Sequence, residues 1–333
     1  MNAPNENLAT DRNYYLEDHW YFWHASLLTE FVRTVTENEI QANSVSPVSH
    51  ASEVVTLSML ISKYLPLIQR VLSPSMYELY DFRDPYIEVF LQACHNLSIQ
   101  SSWTIWIAGQ GQKNQEGFNK LVKEIRRLSY ESPFKMRIYF FKKSFDDNYE
   151  ECCRYVKWLF SSCSRYVVIR VDLSYLSLYS NDVYIEDIKA DLERLLHVNS
   201  RNNHKLFRGL NGHIWRMEYG QSRLFHIHLF LFFKGRNGAR AWYMADQIGK
   251  YWRHVITRGR GHFENCHENT YRYPGIGEIN RSNDEQMDNL FRAIQYLFRE
   301  KQPLPLRRSQ KRYRPFGKGE MGGVREADQR SVV

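Results

Sequence analysis

The stretch "SRLFHIHLFLFFKG", residues 222–235, decides how the chain is read. Phe, Leu and Ile dominate it, and Lys234 and Gly235 close it as a turn would, so it reads as a buried strand. Two histidines, His226 and His228, interrupt it with only Ile227 between them. Side chains two apart on a strand point to the same side. The imidazoles therefore share one face, and Phe225, Ile227, Leu229 and Leu231 share the other. Same-face neighbours stand about 6–7 Å apart along a strand, which lets two rings converge on one divalent cation. The plainer reading is a half-exposed His pair on the solvent side of a sheet.

The neighbouring strands bear on that choice. "GHIWRMEYG" (212–220) is joined to the His strand by the short connection "YGQSR", a hairpin signal. Within it Trp215, Met217 and Tyr219 alternate with Ile214, Arg216 and Glu218. In "VVIRVDLS", Val167, Ile169, Val171 and Leu173 alternate with Val168, Arg170, Asp172 and Ser174. Each strand thus carries one Arg and one acid on a polar face. Glu218 stands eight residues before His226, across the hairpin. Two His, two acids and two Arg on one face suit a metal and a phosphate. Ion pairing across exposed strands is the competing explanation.

Outward from the hairpin the order is β-α-β-β-α-β-(β)-α. "IEDIKADLERLLHV" (185–198) is an amphipathic helix with Ile185, Ile188, Leu192 and Leu195 on its buried stripe. "RAWYMADQIGKYWRHVIT" (240–257) and "DEQMDNLFRAIQYLFREK" (284–301) are further helices, and "HFENCHENTYRY" and "GIGEIN" are further strands. "FKMRIYFFKK" (134–143) reads as an edge strand ahead of a helix over "DDNYEECCRYVKWLFSSC". The class is α+β: an antiparallel sheet with helices packed mainly on one face. Residues 1–133 form a mainly helical region without a catalytic signature, with helices expected over 53–72, 86–100 and 117–132. Residues 134–302 form the sheet domain, and 303–333 a basic C-terminal arm.

The formal net charge of +8 points to a polyanionic partner. Residues 1–50 balance at −5 (two Arg, seven acids) and 303–333 at +5 (eight Lys or Arg, three acids), so the middle carries +8 as well. Aromatics make up 15% of the chain, with 22 Tyr, and such rings serve as cores or as platforms for unstacked bases. Five cysteines without CxxC spacing argue against a disulfide framework or a Cys-rich zinc module. The start, "MNAPNENLATDRNYY", lacks the pattern of a signal peptide, and the longest near-apolar run is too short to span a membrane. A cytoplasmic protein is expected.

The helix "NLFRAIQYLFREKQP" supplies a further reagent. Tyr296 has Arg292 one turn before it and Arg299 and Glu300 one turn after, while Leu290, Ile294 and Leu297 make the buried side. A tyrosine hydroxyl among basic groups can attack a phosphate. A tyrosine at a core edge is the ordinary alternative.

Taken together, "VIRVDLSYL", "EYGQSRLFHIHLFLFF" and "AIQYLFREK" resemble, in order, the motifs of the HUH endonuclease superfamily of rolling-circle replication initiators. More narrowly they resemble its inovirus Gp2-type family of filamentous phages and bacterial prophages. The resemblance covers residues 134–316 and implies a Rep-like, RRM-like fold with metal-dependent nicking and joining of single-stranded DNA through a 5′-phosphotyrosine. It implies His226, His228 and Glu218 as metal ligands, with Asp172 a further candidate, and Tyr296 as nucleophile. The divalent ion would be Mg or Mn. The substrate would be single-stranded DNA or an origin hairpin, and the partners a host helicase and polymerase, with no membrane, in a bacterial cytoplasm. Arg170, Arg216, Arg292, Arg299 and Lys301 become phosphate contacts, as do Arg307, Arg308, Lys311, Arg312, Tyr313 and Arg314 of the arm. Arg299 stands where the superfamily carries Lys. It keeps the charge but does not give up a proton. Mobilisation or transposition by the same chemistry, a DNA-binding regulator without catalysis, and a metal protein unrelated to DNA are the alternatives.

Overall fold

The computed structural model describes residues 27–37, 40–41, 55–56, 59–64, 80–81, 84–99, 112–180, 182–201, 205–220, 223–235, 238–298, 306–307 and 314–321. The chain forms two compact units. One comprises residues 1–144, 219–224 and 300–313, the other residues 145–218, 225–299 and 314–333.

The first unit is helical, with two-residue strand pairs 40–41/55–56 and 80–81/306–307. Residues 27–37 bury Leu28, Phe31, Val32 and Val35, a stripe at helical spacing. They share a core with α1 (Pro85–Asn96) and α2 (Gln112–Ser129), the latter through Phe118, Leu121, Ile125 and Leu128. Asp84 caps α1 by accepting from the Tyr86 N–H at 2.8 Å, and Thr29 donates to its other oxygen. Of the helix expected over 53–72, residues 59–64 are helical, 55–56 are strand, and the remainder lies outside the described residues.

The segment 134–143 is not a strand. It is the beginning of α3 (Ser132–Ser162), 31 residues long, which passes from one unit into the other. Pro133 sits in the first turn, where its missing N–H costs nothing, and neither Gly nor Pro occurs between it and Ser162. Helix propagation therefore carries back through a segment whose aromatics suggest a strand. Met136, Tyr139 and Phe140 stay exposed as a result.

The second unit is built on a six-stranded antiparallel sheet: β1 (Arg165–Tyr175), β2 (Leu210–Gly220), β3 (Leu224–Phe233), β4 (Gly261–Asn265), β5 (Gly277–Asn280) and β6 (Phe316–Lys318). The order is β6-β2-β3-β1-β4, and β5 pairs with the other end of the same β1 edge. Part of the expected C-terminal arm is thus an edge strand: Phe316 pairs with Arg216 and Lys318 with Ile214. The α+β class and the antiparallel sheet are as the sequence predicts.

One sheet face, carrying Leu173 and its strand neighbour Phe263, is covered by α4 (Ile185–Arg201) and α5 (Ala241–Tyr251). Gly249 of α5 lies against the Phe263 ring, and Tyr175 donates to Asp191 of α4 at 2.6 Å. The other face is divided along its length. Tyr166, Val168, Phe230 and Phe232 form an apolar half under α3 and α6 (Asp284–Leu297), which contribute Val156, Leu159, Leu290 and Ile294. Arg170, Asp172, Ser174, His226 and His228 occupy the remaining half on β1 and β3. No helix among the described residues is long and apolar enough to cross a membrane.

Candidate metal centre

The register places the polar half of the face. Asp172 lies directly opposite His228, and Arg170 opposite Phe230, so these side chains rise from the same side. On the far edge of β1, Glu264 pairs with Asp172 and His262 with Ser174. The short connection from β2 to β3 brings Glu218 beside the His pair, as the sequence anticipates.

Glu218, His226 and His228 each offer a ligand atom, and these atoms lie within 4.8 Å of one another. Glu218 Oε2 stands 3.3 Å from His228 Nε2 and 3.7 Å from His226 Nε2. The two imidazoles meet edge to face, centroids 5.0 Å apart. Two donors each about 2.1 Å from a common ion are about 3.0–3.4 Å apart; the Glu218–His228 pair, at 3.3 Å, lies in that range, and the Glu218–His226 pair, at 3.7 Å, needs a small closing movement to reach it. His228 Nε2 is buried and makes no aligned hydrogen bond. It faces Glu218 Oε2 across 3.3 Å, so a cation seated between the two would meet both. The donor set fits a metal.

Asp172 has a different place from the other candidates. Its Oδ1 lies 2.9 Å from His228 Nδ1, on the side of the ring away from Glu218. It therefore stands behind the ligand: it fixes the tautomer that leaves Nε2 open and holds the ring in position. Arg170 in turn brackets Asp172, with Nε at 3.2 Å and Nη2 at 3.3 Å. Burial alone would raise the Asp172 pKa, but His228 and Arg170 outweigh it and hold the carboxyl well below its ordinary range. Burial disfavours charge on His228, yet the carboxylates of Asp172 and Glu218 raise its pKa.

Arg170 and Arg216, expected as phosphate contacts, are 9% and 6% exposed. Each is committed to a carboxylate, since Arg216 Nε lies 3.3 Å from Glu218 Oε1. Burial lowers the Arg216 pKa, with Glu218 opposing. Its guanidinium also lies over the Phe145 and Phe298 rings, at 5.4 and 5.5 Å.

Tyr296 is 43% exposed, off the buried stripe of α6. Phe298, two residues on, is the ring under Arg216, so the end of the tyrosine helix is packed against the ligand-holding arginine. Arg292 is exposed and lies over Tyr273 at 4.6 Å, and Arg314 is exposed. Arg307 falls in the strand pair with 80–81. Arg299, Lys301, Arg308, Lys311, Arg312 and Tyr313 lie outside the described residues.

The loop after β4, where Cys266 adjoins His267 in the sequence, also bears on the polar half. Cys266 is 1% exposed, and burial, with Asp172 nearby, pushes its thiol up to about 12. His267 Nε2 is buried without a hydrogen bond, and burial lowers that imidazole to about 4. The alternation of His262 and Glu264 in "GHFENCH" was the available signal for a third polar strand.

A two-histidine, one-carboxylate group on an antiparallel sheet, backed by an Asp on one imidazole, defines an α+β domain able to bind a divalent cation. A family model, that of the YagK/YfjJ C-terminal domain, matches residues 131–319. This is more than half of the chain, and the chain belongs to that family. No curated protein and no solved structure matches it.

Proposed function

We propose that the protein is a metal-dependent endonuclease and strand transferase that nicks and rejoins single-stranded DNA to start rolling-circle replication of a phage, prophage or related element. The observation that carries this reading is the convergence of Glu218, His226 and His228 beside two buried arginines. The charges support an anionic substrate. Arg170 and Arg216 offset Asp172 and Glu218, so a bound divalent ion would leave the site net positive, which suits an anionic phosphodiester. When bound, the ion supplies Lewis-acid polarisation of a phosphate oxygen.

The chain's own residues do the rest. Asp172 and Arg170 keep His228 in place, and Arg216 keeps Glu218 in place. The Tyr296 hydroxyl attacks phosphorus. A phosphorus–oxygen bond to tyrosine forms, the bond to the 3′-oxygen breaks, and the tyrosine proton ends on the departing 3′-hydroxyl. No electrons change hands, and the bond energy is conserved in the 5′-phosphotyrosine, so a later 3′-hydroxyl reverses the step.

The test is incubation of the full chain with labelled single-stranded oligonucleotides from its own genetic neighbourhood, with Mn or Mg. The expected product is a covalent protein–DNA band on a denaturing gel, lost with EDTA and absent in Tyr296→Phe. A robust adduct in that variant removes Tyr296 from the mechanism. No cleavage with either metal leaves a DNA-binding protein of the same fold.

A further inference from the structure

The guanidinium of Arg216 joins two parts of the site that lie far apart in the sequence. Arg216 and Glu218 stand two apart on β2 and so rise from one face. Arg216 Nε lies 3.3 Å from Glu218 Oε1, which leaves Glu218 Oε2 to face the two imidazoles. The same guanidinium lies over the ring of Phe298, 5.5 Å from its centroid, and over that of Phe145 of α3 at 5.4 Å. Phe298 caps the C-terminus of α6, where its N–H donates to the Gln295 carbonyl at 2.9 Å. Its ring is 5% exposed and meets that of Phe316 edge to face, centroids 5.0 Å apart, and Phe316 is the strand partner of Arg216. The last turn of α6 is thus pinned to the strand that bears Glu218.

Tyr296 belongs to that turn. Residues two apart on a helix differ by about 200° around its axis. Phe298 therefore points inward and Tyr296, 43% exposed, outward. An inward anchor fixes the rotation of the turn, and with it the direction of the outward tyrosine. The metal side of this contact responds to occupancy. Glu218 Oε2 is 3.7 Å from His226 Nε2, whereas ligands of one ion stand about 3.4 Å apart or less. Binding of an ion draws Glu218 and His226 together, and Arg216, held by charge to the other oxygen of Glu218, is drawn along. Arg216 is 6% exposed and Glu218 7%. A close-packed interior transmits such a shift instead of absorbing it.

We propose that Arg216 and Phe298 are positioning residues that couple occupation of the metal site to the order of the last turn of α6, and so set Tyr296 against the bound ion. This rests on the reading of Glu218, His226 and His228 as metal ligands and of Tyr296 as nucleophile. The competing role is structural only, with the rings doing no more than burying a guanidinium.

Coupling is reciprocal: if the ion orders the turn by some factor, order in the turn raises affinity for the ion by the same factor. The test needs the full chain and Mn²⁺ alone, without DNA. Hydrogen exchange over residues 291–298, read by mass spectrometry, is expected to slow about five-fold or more on saturation with Mn²⁺. Phe298→Leu keeps an apolar side chain and removes the flat ring. It is expected to abolish the Mn²⁺-dependent slowing and to weaken Mn²⁺ binding, by calorimetric titration, by the same factor. Arg216→Lys keeps the charge beside Glu218 and gives up the ring contacts. In that background Phe298→Leu should no longer change Mn²⁺ affinity. If Phe298→Leu does not fold, Arg216→Lys alone decides, since it too should bind Mn²⁺ without slowing exchange over 291–298. Coupling is refuted if Phe298→Leu speeds exchange equally with and without Mn²⁺ and leaves Mn²⁺ affinity unchanged, the pattern of a structural ring. It is also refuted if the wild type binds Mn²⁺ with no change over 291–298, an outcome that leaves the metal reading standing. A wild type that binds no Mn²⁺, or binds it no better than Glu218→Gln, refutes the metal reading itself and the coupling with it.

Discussion

Replacing Asp172 with asparagine keeps the side chain's shape and removes its charge. The carboxylate receives His228 Nδ1 at 2.9 Å and Arg170 Nε at 3.2 Å on one oxygen, and faces Arg170 Nη2 at 3.3 Å with the other. All three residues are nearly buried. Asparagine has one accepting oxygen, so its amide nitrogen must point at a donor of either His228 or Arg170. Breaking a buried ion pair from one side costs about 3–5 kcal/mol, and the surviving hydrogen bond returns about 1 kcal/mol. A net loss of about 2–4 kcal/mol corresponds to a drop of about 5–15 °C in Tm for a unit of this size. Metal affinity should fall about 10- to 100-fold, the usual effect of losing the group behind a ligating histidine. Melting curves give the first quantity and calorimetric titration with Mn²⁺ the second, with Glu218→Gln as the ligand-loss comparison. A variant that melts and binds Mn²⁺ like the wild type would refute the reasoning. One that loses metal as completely as Glu218→Gln would make Asp172 a ligand itself.

Two further outcomes concern stability. Burial lowers the His213 imidazole from 6.5 to about 4, so between these values the unfolded chain binds a proton that the folded chain refuses. Stability is therefore whole above pH 6.5 and declines as pH falls toward 4, by up to about 3 kcal/mol for this group. His213→Gln should flatten the acid limb of a Tm–pH profile, with His267, depressed by the same cause, keeping part of the slope; an unaltered limb would contradict the assignment. Gly249→Ala should destabilise by about 2 kcal/mol, although alanine is the better helix former, because the added Cβ overlaps the Phe263 ring. Chemical denaturation of the variant reads this directly, and a gain in stability would show that the ring moves freely.

The sheet and its polar half were largely legible. Period-two alternation in "VVIRVDLS" and "LFHIHLFLFF" holds in the register, where Asp172 meets His228. The stripe Leu290, Ile294, Leu297 is the buried side of α6. Residues 134–143 were misread because their side chains suit a strand, whereas the outcome depends on the absence of a breaker up to Ser162. The roles of Arg170, Asp172 and Arg216 were not legible either. Alternation tells which face a residue takes, but not that an arginine there is 6% exposed or that a carboxylate lies on the Nδ1 side of a ring. Those facts arise from packing by elements distant in the chain: Phe145 and Phe298 under Arg216, and the loop of Cys266 beside Asp172.

The division of one sheet face into an apolar and a polar half has a consequence for descent. Fold and chemistry are written on different residues, so selection can erase one and keep the other. An ion pair such as Arg216–Glu218, exchanged as a unit for two apolar side chains of similar size, is often neutral or stabilising. A lineage in which the chemistry is no longer needed can therefore shed the site without paying in stability and still be recognised by its fold. Among members of this family, retention of the candidate metal group is to be read at positions 172, 218, 226 and 228, and not from the sheet that carries them.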